Sequence, residues 1–279
     1  MYIYPKPVWD LGFAQIAVYG TMLFCGGIAF LFAFYFLRKP SGFKVHWKSF
    51  IWVLGIGILL FIAGARFWDW LCHTLAGDHT GGGISFLGGV TIGLPIFYGF
   101  LMLIYPDRDE RIALMNFIFP CIALAHAFGR VGCFFAGCCY GIPVEGYGAI
   151  YPDDSPASKL YYPGVSVFPI QLVESAFLVL LFLFLVLFPK KRYRMEAYCL
   201  GYGVARFIIE FFRGDNRGSF IPGLSPSQFL SILLVLFAAI HLLALRRYPY
   251  HELAYSGLEA RPRYKKRLGG IALKAPETK

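Results

Sequence analysis

The residues from His126 to Gly141, HAFGRVGCFFAGCCYG, combine an arginine, a histidine, three thiols and four glycines at the end of a hydrophobic run. An arginine can hold a phosphate through two parallel hydrogen bonds. A thiol can act as a nucleophile, a metal ligand or a disulfide partner. Because a charged residue in the middle of a membrane helix costs about 2.5–3.5 kcal/mol, Arg130 predicts a polar partner or a ligand within the hydrophobic segment.

The composition predicts which elements must position these residues. Of the 279 residues, 58% are hydrophobic and 15% are charged, and several apolar runs are longer than a core helix needs. Windows of about 20 residues predict an all-α, polytopic membrane helical bundle with about seven transmembrane helices. The predicted spans are 12–37, 50–72, 84–105, 112–134, 168–189, 195–212 and 225–246. The sixth is short and is interrupted by Arg206 and Glu210.

The distribution of basic residues predicts the orientation of the bundle. Most of the 26 Lys and Arg residues fall on one side of the predicted spans. The positive-inside rule makes that side cytoplasmic, with the N-terminus outside and the C-terminus inside. The start, MYIYPKPVWD, lacks the positively charged region of a signal peptide, so we expect the first helix to be retained.

Two regions are expected along the chain. Residues 1–247 form the membrane domain, with an extracytoplasmic loop at about 142–166 whose tyrosines and prolines favour an interfacial cap. Residues 248–279 form a basic cytoplasmic tail. A polybasic segment beside a last helix favours contact with anionic lipid and a role in orientation over nucleic-acid binding.

Costly polar residues recur at one predicted depth. In the outer half of the membrane the topology places Tyr19, Arg66, Ser85, Arg130, Gln171, Glu174, Arg206, Glu210, Ser225, Ser227 and Gln228. We therefore expect a cavity open toward the outer leaflet. Three arginines against two glutamates favour an anionic ligand, and the abundant anion there is a phospholipid headgroup. Alternatively the charges pair with one another, as Arg206 and Glu210 can at their i,i+4 spacing.

The segment GRVGCFFAGCCYG resembles the signature of the bacterial prolipoprotein diacylglyceryl transferases, Gly-Arg-x-Gly-Asn-Phe-x-Asn-Gly-Glu-x-x-Gly. Further segments are similar in the family's order: VYG, AGARFW, GGISFLGGV, FPIQLVES, YGVARFIIEFFRGDNRG and LSPSQFLSI. The resemblance implies a multi-pass protein of the bacterial cytoplasmic (inner) membrane, with its active site toward the outer leaflet. It also implies a reaction, in which the diacylglyceryl group of phosphatidylglycerol moves to the lipobox cysteine thiol of a prolipoprotein and glycerol phosphate leaves.

The same resemblance implies roles for individual residues. The implied catalytic residues are Arg130, Arg206, Tyr202 and Glu210. The implied substrate-binding residues are Tyr19, Arg66, Ser85, Gly129, Gly141, Gln171 and Glu174. The expected partners are phosphatidylglycerol, the signal peptides of lipobox-containing prolipoproteins and the membrane. No metal or cofactor is expected, because the sequence has no His/Cys/Asp spacing that demands a metal and CxxxxCC is not a recognised zinc or haem spacing. Nucleic acid is not an expected partner.

Four positions depart from the family pattern. Cys133 and Cys138 stand where the signature has asparagine and glutamate, and Leu87 and Phe168 stand where histidines are common. Either His126, one turn before the signature arginine, replaces the missing base, or the arginines alone lower the pKa of the incoming thiol. A histidine simply hydrogen-bonded within the bundle is the alternative. The thiols pack a tight loop, form a disulfide or take part in the chemistry.

Two further functions are compatible with the residues. A paralogue would use the same phospholipid site with a different acceptor, which the four departures favour. A non-catalytic membrane protein that binds or transports a lipid or anion would need polar residues in the cytoplasmic half as well. His241 is the main exception to the apolar composition there.

Overall fold

The computed structural model describes residues 2–10, 15–38, 44–45, 47–75, 77, 85–104, 108–153, 155–160, 164–187, 191–215, 222–247 and 259–260. The α-helices are α1 Val18–Arg38, α2 Trp47–Leu75, α3 Phe86–Gly88, α4 Leu94–Ile104, α5 Arg108–Ala136, α6 Pro156–Leu160, α7 Ile170–Leu187, α8 Arg194–Ile209 and α9 Pro226–Arg247. A π-helical turn, Gly89–Gly93, joins α3 to α4, so these three pieces form one continuous helical stretch. The predicted all-α, polytopic membrane bundle is confirmed.

Short strands pair outside the helices. Tyr2–Ile3 (β1) pairs in parallel with Gly148–Ala149 (β5). Val8–Asp10 (β2) forms a hairpin with Gln15–Ala17 (β3). Lys44–Val45 (β4) pairs in parallel with Glu259–Ala260 (β6). The hairpin explains why α1 begins at Val18, whereas hydropathy alone starts the first span at residue 12. Apart from β6, the predicted basic tail 248–279 lies outside the described residues.

Six helical stretches of the described chain are long and apolar enough to cross a membrane, and the stretch from α3 to α4 counts as one of them. They correspond to six of the seven predicted spans. The remaining one, predicted at 195–212, is α8, which has 16 residues. Two 3₁₀ turns, Lys191–Tyr193 and Glu210–Phe212, extend it at its two ends. A count of seven crossings and the orientation of the termini stay predictions.

The helix α5 occupies the centre of the bundle. Within its apolar stretch 72% of the residues are buried, compared with 17% in α1. One face of α5 packs on α1, and α7 and α8 pack against it elsewhere. The hydroxyl of Ser175 in α7 donates to the carbonyl of Ala127 in α5 at 3.0 Å. The signature arginine and histidine lie on this central helix, which explains their burial.

The segment after α5 folds over one end of the bundle. Its residues Tyr140, Ala149, Tyr151, Ala157 and Val167 form a small apolar cluster with Phe134 of α5. The pairing of β1 with β5 ties the segment to the N-terminus, and a bridge between Gly141 and Arg213 ties it to the end of α8. We call residues 137–169 the cap. The cap places the cysteines next to the ends of α7 and α8.

Candidate functional site

A buried ion pair joins α5 to α7 at the cap end of the bundle. Nε of Arg130 lies 3.1 Å from Oε2 of Glu174, whose side chain is fully buried. The hydroxyl of Tyr202 in α8 donates to Oε1 of Glu174 at 2.9 Å. A buried carboxylate is tolerated only when it is paired and hydrogen-bonded. Arg130, Glu174 and Tyr202 therefore form one interhelical unit.

A second buried pair lies on α8 and reaches α9. Nη2 of Arg206 lies 2.5 Å from Oε2 of Glu210, at i,i+4 spacing. The same nitrogen donates to Oγ of Ser227 at 3.1 Å. Oγ of Ser225 donates to Oε1 of Glu210 at 2.9 Å. The pairing of Arg206 with Glu210 thus occurs, and it occurs inside a network contributed by two helices.

The sequence interpretation missed a third arginine in this network, Arg213. Its side chain is 3% exposed, it forms hydrogen bonds to both carboxylate oxygens of Asp215 at 2.9 and 2.7 Å, and its Nε lies 3.7 Å from Oε2 of Glu210. The 3₁₀ turn after α8 brings Arg213 back to Glu210, and their i,i+3 spacing was the available signal. With Arg213 and Asp215 included, the network balances three arginines with three carboxylates. The predicted surplus counted Arg66 in place of Arg213 and left out Asp215, whereas the charges of the residues in this network balance.

Unpaired donors remain within the balanced network. Nη1 of Arg206 and Nη1 of Arg213 are buried and have no hydrogen-bond acceptor among the described residues. A buried donor without an acceptor costs about 1–3 kcal/mol. Such donors fit a ligand that accepts hydrogen bonds, and guanidinium groups suit the oxygens of a phosphate.

His126 lies beside Arg130, the arginine of the ion pair with Glu174. Its Nε2 accepts a hydrogen bond from Nε of Arg130 at 3.1 Å. Its ring stacks on Phe86 with a centroid distance of 3.4 Å and meets the ring of Tyr202 edge-on at 5.2 Å. Ser85 caps α3 by accepting from the amide of Gly88, and this cap positions Phe86. These contacts make His126 an orienting partner of Arg130, and its role as a base stays a prediction.

The predicted residues of α1 and α2 differ in placement. The ring of Tyr19 packs on Gly132 of α5, where an added side chain would lie 3.1 Å from ring carbon Cδ2. Tyr19 also lies within electrostatic range of Arg130. Gly129, one turn earlier on α5, faces Leu23. Arg66 instead lies on an exposed face of α2, unlike the buried Arg130. Its predicted part in headgroup binding is not tested by this placement.

Gln171 and Gly141 connect the cap to the site. Nε2 of Gln171 donates to the carbonyl of Cys138 at 2.8 Å and to the hydroxyl of Tyr151 at 3.2 Å. The amide of Gly141 donates to the carbonyl of Phe168 at 3.1 Å. A Cβ on Gly141 would lie 2.5 Å from that oxygen, so only glycine fits. Gln171 of α7 thus fastens the cap to the bundle, and Gly141 joins the two ends of the cap to each other.

The three thiols of the signature segment form a cluster. The Sγ atoms of Cys133, Cys138 and Cys139 all lie within 4.8 Å of one another, and each residue is partly exposed. All seven cysteines, every one within the described ranges, are present as thiols without a disulfide. Hydrogen bonding with Cys133 and Cys139, together with burial, raises the pKa of the Cys138 thiol well above its usual range. Cys138 is therefore a poor nucleophile on its own.

A separate polar cluster lies at the opposite end of α8. His241 of α9 contacts Glu196 at 2.5 Å, and Arg194 donates to the carbonyls of Leu185 and Val186 at the end of α7. Arg194 and Arg206 are about 18 Å apart along α8, from the helical rise of about 1.5 Å per residue. The apolar cluster that includes Phe119 and Tyr198 lies in between. The contacts of this polar cluster join one end of α8 to the end of α7 and to α9.

Comparisons with known proteins agree with the sequence resemblance. A family model described as prolipoprotein diacylglyceryl transferase matches residues 6–244. A phosphatidylglycerol–prolipoprotein diacylglyceryl transferase of Dehalococcoides mccartyi (strain ATCC BAA-2266 / KCTC 15142 / 195) is 31% identical over 249 residues, covering 82% of this chain and 89% of that protein. The similarly named transferase 2 of Clostridium perfringens (strain 13 / Type A) is 38% identical over 135 residues, or 51% of its own length. A phosphatidylglycerol–prolipoprotein diacylglyceryl transferase of Clostridium tetani (strain Massachusetts / E88) is 36% identical over 131 residues, which is 46% of this chain and 51% of that protein. The matches to the two Clostridium proteins thus span about half of their length.

Proposed function

Because the chain belongs to the prolipoprotein diacylglyceryl transferase family, we propose that it transfers the diacylglyceryl group of phosphatidylglycerol to the cysteine thiol of a prolipoprotein. The acceptor cysteine lies in a lipobox, and the product is a thioether. The protein acts in the bacterial inner membrane, with its site toward the outer leaflet. The membrane domain of residues 1–247 carries the activity, and the basic tail contacts anionic lipid on the cytoplasmic side.

The observation that carries the proposal is the pair of unpaired, buried Nη1 donors on Arg206 and Arg213. Both belong to guanidinium groups that Glu210 orients. Donors fixed in advance in a water-poor site stabilise developing charge more effectively than mobile water does. The phosphate of the lipid headgroup supplies the acceptor oxygens, and Arg130 supplies a third positive charge one helix away.

The reaction places its new charge at the phosphate. The thiol sulfur forms a bond to the glycerol carbon, and the bond from that carbon to the phosphate oxygen breaks. The electron pair of the broken bond goes to the departing glycerol phosphate, which changes from a diester to a monoester that carries more negative charge. Arg206 and Arg213 therefore contribute more in the transition state than in the bound lipid, which is the condition for catalysis.

The thiol must lose its proton during the attack. A free cysteine has a pKa of about 8.5, so most of it is protonated at neutral pH. The departing phosphate monoester, whose second pKa is about 6, can hold a proton in the product. His126 keeps Arg130 in place through its Nε2 atom, and this positioning is the role that we assign to it.

The proposal is tested by lipidation of a lipobox peptide with phosphatidylglycerol, using purified protein in detergent. We expect Arg206→Ala to lower kcat about 10²–10³-fold, as the loss of a charge-stabilising donor does. Arg206→Lys and Arg213→Lys keep the positive charge but lose the second guanidinium donor, so we expect intermediate losses.

Arg194→Lys is the matched control, because Arg194 is equally buried on the same helix but lies at its other end. We expect it to lipidate the peptide at close to the parent rate. Thermal unfolding and size-exclusion profiles identify variants that fail to fold. Equal rates for the parent, Arg206→Lys and Arg213→Lys in folded samples would overturn the assignment of the phosphate site.

A different acceptor is the second candidate, because Cys133 and Cys138 replace the asparagine and glutamate of the family signature. Replacing a cell's standard transferase with this chain separates the two functions. Rescue of growth together with lipidated prolipoproteins supports the first candidate. A chain that releases glycerol phosphate from phosphatidylglycerol without lipidating prolipoproteins supports the second.

A further inference from the structure

The three thiols after the signature arginine converge from a short piece of chain. Cys133 lies in the last turn of α5, and Cys138 and Cys139 follow the end of that helix. Their Sγ atoms lie within 4.8 Å of one another. Three sulfurs bound to one Zn²⁺ ion at about 2.3 Å are roughly 4 Å apart. The cluster therefore has the dimensions of a coordination site before any ion is bound.

The backbone of this turn is held in an unusual conformation. Gly137 has a φ of 67° and Cys139 a φ of 59°, and Cys139 is a non-glycine residue with positive φ. A left-handed conformation costs a non-glycine residue about 1–2 kcal/mol. Such a conformation persists only where its surroundings enforce it, and it is concentrated at functional sites. At Cys139 it accompanies the convergence of the third thiol with the other two.

Contacts from neighbouring elements hold the turn. The amide of Cys138 donates to the carbonyl of Cys133 at 3.2 Å, and Gln171 donates to the carbonyl of Cys138 at 2.8 Å. A side chain on Gly137 would lie 2.9 Å from Cβ of Ser155, so the part of the cap around Ser155 packs directly on the turn. The three sulfur atoms are therefore positioned by packing as well as by the closeness of the cysteines in sequence.

A disulfide accounts for only part of this arrangement. A disulfide joins two sulfurs at about 2.05 Å and leaves the third thiol without a role. Coordination of a cation uses all three thiols, and thiolate ligands select thiophilic ions such as Zn²⁺ and Cu⁺. None of the three residues is fully buried.

The surrounding charges are compatible with a thiolate cluster. Arg130 lies within electrostatic range of Cys133 and Cys139, and Arg213 lies within range of Cys139. Three thiolates around Zn²⁺ carry one net negative charge, and around Cu⁺ they carry two. The guanidinium groups offset this charge in a medium where water screens poorly.

We propose that Cys133, Cys138 and Cys139 form a three-thiolate binding site for a thiophilic metal ion, with Zn²⁺ and Cu⁺ as the candidate ions. Binding replaces three S–H bonds with three metal–sulfur bonds and releases three protons to solvent, with no change of oxidation state. Zn²⁺ prefers four ligands, so three protein thiolates leave one position for an exogenous donor such as water. The proposal is independent of the proposed transferase function.

The test begins with full-length protein in detergent, reduced and freed of metal with a chelator. Zn²⁺ is then added, and the bound metal is counted by elemental analysis after desalting. We expect one Zn²⁺ per chain in the parent protein. Cys133→Ser, Cys138→Ser and Cys139→Ser should each weaken binding at least about tenfold in competition with a chromophoric chelator, since even outer partners of metal ligands have effects of this size.

Cys25→Ser is the matched control, because Cys25 is also partly exposed but lies in α1 outside the cluster. It should bind Zn²⁺ as the parent does. Replacing Zn²⁺ with Co²⁺ gives a thiolate-to-metal charge-transfer band whose intensity falls in the three cluster variants. A parallel titration with Cu⁺ against a Cu⁺ chelator identifies which of the two ions binds more tightly.

A measurement on the unmutated chain covers the case of variants that do not fold. Alkylation is followed residue by residue by mass spectrometry, with and without Zn²⁺ or Cu⁺. Protection of the three cluster thiols, but not of Cys25, supports the site. The proposal is overturned if neither ion binds or protects the thiols, or if the only reaction of the cluster is oxidation to a disulfide with no metal binding under reducing conditions.

Discussion

Glu174 is fully buried and contacts two other helices. Its Oε1 accepts from Tyr202 and its Oε2 faces Nε of Arg130. Removing one partner of a buried charged group leaves the other uncompensated, which costs more than the interaction itself contributes. The tyrosine hydroxyl is the partner that can be removed while the charge balance is preserved.

We expect Tyr202→Phe to destabilise the protein by about 1–3 kcal/mol, because it leaves Oε1 of Glu174 buried without its donor. We also expect a lower kcat, since Glu174 then orients Arg130 less firmly. Thermal unfolding and the lipidation rate measure the two effects.

Tyr198→Phe is the matched control for this prediction. Tyr198 is one turn earlier on α8 and stacks on Tyr202, but its buried hydroxyl has no hydrogen-bond partner in the described part of the chain. Because this hydroxyl has no acceptor to lose, we expect the variant to be at least as stable as the parent and to lipidate the peptide at the parent rate. Equal behaviour of the two tyrosine variants would mean that the hydrogen bond to Glu174 has no orienting role.

Single residues also show how far the sequence could predict the site. Arg130, Glu174, Arg206 and Glu210 were recognisable because a charge in an apolar span is costly. The direction that Arg66 faces was not predicted, because the cost of a charge in an apolar span indicates that a partner or ligand is needed but not which side of the helix is buried. Arg213 was overlooked because it lies beyond the predicted span, and only the 3₁₀ turn after α8 returns it to Glu210.

At the scale of elements, α2 and the π-helical turn approach each other through glycines. A Cβ on Gly93 would lie 2.7 Å from the carbonyl oxygen of Leu60 and 2.8 Å from Cα of Phe61. A Cβ on Gly64 would lie 2.7 Å from the amide nitrogen of Gly93. Small residues that allow such close approach are a general feature of helix packing in membranes.

We expect Gly93→Ala to destabilise the bundle by about 1–3 kcal/mol, the usual cost of overpacking, because the added methyl group meets backbone atoms that cannot rotate away. Thermal unfolding in detergent measures the effect. Gly99→Ala is the control, since nothing lies within 4 Å of a Cβ at that position. A fall in stability for Gly99→Ala as large as that for Gly93→Ala would argue against close packing as the cause.

Hydropathy predicted where the helices lie but not how they deviate from regularity. The predicted span 84–105 corresponds to α3, the π-helical turn and α4. All three pieces pack on α2, and hydropathy alone does not indicate that packing. The cysteine cluster escaped prediction for a related reason. The spacing CxxxxCC carries no metal signature, and the left-handed conformations of Gly137 and Cys139 that accompany the cluster cannot be read from the spacing.

At the scale of the whole molecule, the predicted orientation places the cap on the extracytoplasmic side of the membrane and the loop before α5 on the cytoplasmic side. Lys159 in α6 and Arg108 at the start of α5 are both exposed. We expect Lys159→Cys to gain a label from a membrane-impermeant maleimide in intact cells, beyond the labelling of the parent. Arg108→Cys should gain one only after permeabilisation. The opposite pattern would reverse the orientation and move the phosphate site to the cytoplasmic leaflet.

The burial of the charge network has a consequence for the energetics of turnover. Arg206 is 1% exposed, so we expect a headgroup to reach its guanidinium group only in a more open conformation. The apparent lipid affinity then equals the intrinsic affinity multiplied by the fraction of molecules that are open. Substitutions that loosen the packing without touching a charged residue should therefore lower KM for the lipid, and stability and substrate affinity become opposing demands on the same contacts.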